Sequence, residues 1–216
     1  MMNNLFSVFD PCTGLLSMNW LSTMIFMMMM SYSMWILNNK ISFAFKTMIY
    51  KLHLELNMIM KYKGSTLIMI SLFILILYNN LMGLLPYIFT SSAQLVFSLA
   101  MALPMWLGFM LYGWLNKTNS MFTHLVPNGT PMILMPFMVM IETISNIIRP
   151  GSLAVRLTAN MIAGHLLMSL LGSNLSIIMF TATVFIFIML MMFELAVAMI
   201  QSYVFMTLTT LYSSEI

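Results

Sequence analysis

Glu142, Arg149 and Arg156 recur at intervals of seven in a stretch that is otherwise strongly apolar. At 3.6 residues per turn, each is rotated only about 20° from the one before, so a helix carries all three on one stripe. Asn160 follows Arg156 at i+4 and extends the stripe. Glu194 and Gln201, also seven apart, make a second stripe, and the two stripes face each other or a common partner. An ionisable group at the centre of a membrane helix costs about 2.5–3.5 kcal/mol on insertion scales, so such groups mark function. Arg149 abuts Pro150 and has Glu142 within two turns, which fits a structural ion pair. Arg156 has no carboxylate within a turn of its own helix, so its counter-charge must come from elsewhere. A guanidinium stays protonated at any physiological pH. Arg156 therefore cannot shuttle protons, but it can stand as a fixed positive post. His165 lies nine residues beyond Arg156, about half a turn round the helix axis. A lone His in an apolar helix is usually just hydrogen-bonded; paired with Glu194 across a hairpin it offers a relay titrating near neutral pH. His53 and His124 sit in interfacial segments and carry no such argument. The three His and one Cys have no metal-ligand spacing. No phosphate loop or nucleophile elbow is present, so no cofactor is expected.

These side chains need a scaffold that holds them inside an apolar layer, and the composition supplies one. Of 216 residues, 62% are hydrophobic and 6% charged, with 8 Lys+Arg against 5 Asp+Glu for a net charge of +3. A soluble domain carries about 25% charged residues, and a disordered chain needs low hydrophobicity and high charge. Both are excluded. Cys12 is the single cysteine, which excludes an internal disulfide framework. No basic cluster or stacking platform points to nucleic acid. An all-α polytopic membrane protein remains, forming one membrane domain over residues 1–216.

Charge-free stretches of about 20 apolar residues mark the spans. The first covers 18–37. Between Lys63 and Lys117, a break at Pro86-Tyr87 and Thr90-Ser91-Ser92 separates spans at 67–87 and 93–115. Two further segments, 131–171 and 175–214, flank the turn at Gly172-Ser173-Asn174. Each approaches 40 residues, roughly 55–60 Å as helix, or nearly twice the hydrocarbon thickness. They are predicted to form a hairpin that tilts strongly, bends at Pro150 or wraps a partner. Residues 40–63 place Phe45, Ile49, Leu52, Leu56, Ile59 and Met60 on one helical face, with Lys40, Lys51, Glu55 and Lys61 on the other. This predicts an interfacial amphipathic helix beside about five membrane helices.

Lys40, Lys46, Lys51, Lys61 and Lys63 lie between spans one and two, and Lys117 falls on the same side by parity. The positive-inside rule assigns that side to the compartment of synthesis, leaving the N-terminus outside and the C-terminus inside. No basic or Arg/Ser-rich leader precedes Asp10. The chain is expected to be made beside its membrane or to insert without a cleavable signal.

Five segments then carry a resemblance: NLFSVFDP at 4–11, NLMGLLPY at 80–87, IETIS at 141–145, SLAVRLTANMIAGHLL at 152–167 and ELAVAMIQSYVF at 194–205. Together they resemble subunit a of F-type ATP synthases in its mitochondrial form, over essentially the whole chain. The absent leader and the 30 Met residues fit an organelle-encoded member. The resemblance implies a proton-translocating stator subunit in the mitochondrial inner membrane, not itself catalytic. It would stand beside a rotating ring of c subunits, each with a mid-membrane carboxylate, and would contact the peripheral stalk, other Fo subunits and lipids. Two aqueous half-channels would reach the ring from opposite sides, with Arg156 at the essential position between them. His165 and Glu194 match positions of the half-channel from the intermembrane space. Glu142 and Glu215 match acidic positions of the matrix half-channel, and Asn160 and Gln201 match polar neighbours of the Arg. In bacterial relatives the His165 position is often acidic and the Glu194 position often His, a swap that keeps one acid and one imidazole.

Two other readings make different demands. A secondary transporter requires broken helices in symmetric halves, and no internal repeat supports one. A purely structural subunit of a respiratory complex requires that neutralising Arg156 affect assembly alone.

Overall fold

Inside an apolar layer, a helix is the simplest way for a single segment to satisfy its own backbone N–H and C=O groups. The computed structural model describes residues 5–12, 18–29, 39–60, 64–126, 129–173 and 180–214, which are helical almost throughout and contain no strand. Glu215, Lys61, Lys63 and residues 30–37 of the expected first span lie outside the described residues. Short 3-10 turns at Leu5–Phe9 and Met18–Met24 lead into α1 (Ile25–Met29). There follow α2 (Lys40–Ile59), α3 (Ser65–Gly83), α4 (Leu95–Asn116), α5 (Thr118–Leu125), α6 (Met135–Ser173) and α7 (Phe180–Ser214). Four stretches among the described residues are long and apolar enough to cross a membrane: Ser65–Gly83, Leu95–Asn116, Met132–Ser173 and Thr181–Ser214.

The apolar stripe of α2 meets protein. Leu56 and Met60 are buried with Met69, Ile70, Phe73 and Ile74 of α3 and Met206 of α7, and Phe45, Ile49 and Leu52 pack against this cluster. Ile59 stays exposed, as do Lys40, Lys51 and Glu55. A second cluster, of Ile76, Ala102, Leu153, Ala154, Leu157 and Phe205, locks α3, α4, α6 and α7 together. Many of the contact residues are small: Ala102, Ala154, Ala198, Ser98 and Ser202 are all at most 2% exposed. Small side chains bring helix backbones close enough for dispersion to hold them where no hydrophobic drive exists.

The last two helices set the site. α6 has 39 residues and α7 has 35, roughly 58 and 52 Å at 1.5 Å per residue. They pack on each other as a hairpin, with Pro150 inside α6 and buried. Both exceed a hydrocarbon core of about 30 Å, so neither can stand upright within it. Between α3 and α4 the chain breaks at Pro86, and Tyr87 adopts a left-handed backbone (φ 69°) with its ring fully exposed. The 3-10 turn Ser91–Ala93, buried against α3 and α6, completes this break.

Candidate functional site

Three contacts fix the register of the α6–α7 hairpin. The Arg149 guanidinium lies over the Tyr212 ring, 5.2 Å from its centroid. Asn160 Nδ2 donates to Gln201 Oε1 at 3.1 Å. The Glu194 carboxylate packs directly on the Cα of Gly164, filling the space where any side chain at 164 would begin. The antiparallel pairing brings Arg149, Asn160, Glu194 and Gln201 to one seam, while Arg156 of the first stripe stays on the exposed face of α6.

At one end of the seam, Glu142 Oε1 lies 3.7 Å from Arg149 Nη2. This is the pair the seven-residue spacing predicts, and it gives Arg149 a carboxylate and a ring as partners. Glu142, Asn146, Arg149, Tyr212 and His124 line a cavity of about 270 Å³. Sequence spacing gives His124 no role, because its neighbours in α5 carry no pattern.

At the other end, His165 and Ser169 open onto a cavity of about 530 Å³, otherwise lined by apolar side chains such as Leu84, Pro86, Met168 and Met191. The imidazole has a backbone hydrogen bond with Gly83. Its Nε2 is buried without a partner among the described residues. Glu194 is 6% exposed and sits one residue away on the seam. The two do not hydrogen-bond directly, so a proton passing between them needs a water.

Beside this end lies a group to which sequence spacing assigns no role. Asn80, Thr90 and Ser92 are at most 1% exposed, and their side-chain polar atoms have no partner among the described residues. Thr90 packs on Gly83, next to Met161. A buried, unsatisfied polar group costs about 1–3 kcal/mol, and ordered water is the usual remedy. The signal is present in the sequence: polar residues inside and beside an apolar span.

Arg156 stands between the two ends, 14 residues beyond Glu142 and 9 before His165, roughly 21 and 14 Å along the helix. It is exposed and makes no ion pair among the described residues. Ser152, Val155, Ala159 and Ala163 are exposed beside it on the same face of α6. Among the described residues, no cluster of three or more His, Cys, Asp and Glu could hold a metal.

A bundle of long apolar helices, with ionisable groups spaced along its longest hairpin, defines an all-α multi-pass membrane protein. The ATP synthase A chain family model matches residues 15–214. ATP synthase subunit a of Drosophila melanogaster is 56% identical, that of Anopheles quadrimaculatus 55% and that of Locusta migratoria 53%, each over the full length of both chains. The chain belongs to the ATP synthase A chain family and is thus a membrane component of the Fo proton-transport sector.

Proposed function

We propose that this chain carries protons to and from the carboxylates of a c-subunit ring through two half-channels, with Arg156 as the electrostatic divider. The observation that carries the reading is the bare Arg156 cation, exposed between two polar ends of one helix pair. A cation on a lipid-facing surface costs several kcal/mol. A row of carboxylates passing in front of it removes that cost, and Ser152, Ala159 and Ala163 leave room for a helix to come close. An apolar site favours the neutral carboxyl, whereas an adjacent cation favours the carboxylate. Each ring carboxyl therefore gives up its proton at Arg156 and can regain one only from the opposite half-channel.

His165 and Glu194, helped by water near Asn80, Thr90 and Ser92, serve the half-channel from the intermembrane space. Glu142 and, at the C-terminal end, Glu215 serve the matrix side. Asn160 and Gln201 hold the seam next to the cation. The chain sits in the mitochondrial inner membrane with its N-terminus in the intermembrane space and its C-terminus in the matrix. It works as a non-catalytic stator held by the peripheral stalk, other Fo subunits and lipid. The force is large: one charge crossing 100 mV is worth about 2.3 kcal/mol.

Arg156→Lys and Arg156→Ala test the reading. The divider must stay charged in a low-dielectric place, which Arg does more dependably than Lys. Both variants are expected to lower proton-driven synthesis by about a hundredfold, the scale set by losing one preorganised charge contact. The Ala variant is also expected to leak protons. Synthesis and passive conductance are measured in membranes with matched amounts of assembled complex. Normal coupled synthesis in the Ala variant removes Arg156 from the mechanism, and normal synthesis in the Lys variant shows that any cation suffices.

A further inference from the structure

The His165 cavity has a wall contributed from far away in sequence. The 3-10 turn Leu5–Phe9 lies against α6, and Val8 and Phe9 line the cavity together with Met168 and Met191. Phe9 meets the His165 imidazole edge to face, with ring centroids 6.2 Å apart and planes at 88°, an arrangement aromatic rings favour. The turn is held from its other side too. The Gln94 side-chain amide donates to the Phe9 carbonyl at 2.6 Å, across 85 positions of sequence. Gln94 is the N-cap residue just before α4, and its side chain makes no capping bond there. It ties the turn to the end of a membrane helix.

We propose that Phe9 is a positioning residue for His165, latched by Gln94, and that this turn closes one side of the cavity. The proposal rests on the reading of His165 as a proton relay. A relay imidazole must return to one orientation after each transfer. The Gly83 backbone holds one polar edge of the ring. Phe9 covers the ring with a group that neither donates nor accepts, so it does not compete for the free Nε2. Nε2 is buried in this arrangement, so proton exchange there requires the cavity wall to admit a water to it and onward toward Glu194; Phe9 itself exchanges no proton. Misplacing a reacting group by about 1 Å can cost up to about a hundredfold in rate. Loosening this wall therefore acts on flux without touching a titrating group.

The test uses assembled ATP synthase in membrane vesicles carrying Phe9→Ala, Gln94→Leu or Phe9→Tyr, with His165→Asn as reference. Two quantities are read: proton flux through the sector at fixed driving force, and the rate of His165 modification by diethylpyrocarbonate added on the Phe9 side, followed by mass spectrometry. F9A and Q94L are expected to speed modification severalfold and slow flux severalfold, per assembled complex. F9Y keeps the ring and restores both. Parental values of either quantity in F9A and Q94L overturn the proposal. Should F9A lower assembly, Q94L decides alone, since it removes only the latch. Parental flux in H165N overturns the relay reading itself. Lost flux there, with parental readings in F9A and Q94L, overturns only the positioning.

Discussion

Gly164 is where a single missing side chain does the most. Glycine inside a helix costs about 1 kcal/mol relative to alanine, yet here it sits in mid-helix under the Glu194 carboxylate. A Cβ at 164 overlaps that carboxylate, so Gly164→Ala gains helix propensity while driving Glu194 off its seat. Overpacking of this kind costs about 1–3 kcal/mol, which outweighs the gain. The variant is expected to assemble normally and to lose about tenfold in proton-driven synthesis, a fraction of what a placed acid–base group contributes. Adding Glu194→Asp, one methylene shorter, should recover part of the loss. A double-mutant cycle reads the coupling, and simple additivity of the two losses would show that the residues act apart.

At the scale of elements, the sequence tells rotation within a helix but not register between helices. The interval of seven puts Glu142 and Arg149 on one stripe, and the structure pairs them at 3.7 Å. Hydropathy alone marks α3, α4, α6 and α7 as membrane helices. That Asn160 meets Gln201, and Glu194 meets Gly164, depends on which small residues nest across the hairpin. No one-dimensional pattern encodes that choice. For the same reason α2 displays its apolar face in the sequence but not its cover, which is α3 and α7. Met18–Met24, where the sequence predicts the start of an α-helical span, is a 3-10 turn; hydropathy does not separate the two, since they differ in hydrogen-bond register and not in which residues are apolar. Loop lysines predict which end of α6 faces inward. A Cys replacing Glu142, in the cavity with Asn146 and Tyr212, should react with a membrane-impermeant thiol reagent added to the inner side only. Labelling from the outer side would reverse both the orientation and the role of that cavity.

At the scale of the whole molecule, the α6–α7 pair presents an apolar surface with one exposed charge among the described residues. Ile141, Ile144, Ile148 and Val155 of α6 and Met192, Met199 and Tyr203 of α7 are all at least 43% exposed. Lipid covers such side chains without difficulty, because acyl tails are as apolar as they are. Arg156, exposed among the α6 residues, is the group lipid cannot satisfy. A partner with carboxylates at the same depth satisfies it, and the small Ala159 and Ala163 one and two turns away define where that partner approaches closest. The substitution Ala159→Cys should therefore allow a disulfide, under mild oxidation, with a cysteine placed one helical turn from the ring carboxylate. The link should stop rotation-coupled synthesis until it is reduced. A disulfide needs Cα atoms within about 7 Å, so success requires contact between helices and not mere proximity in the membrane. If the introduced thiol instead reacts with a lipid-soluble maleimide equally fast before and after assembly, lipid covers this face, and the counter-charge of Arg156 has to be sought elsewhere in the complex.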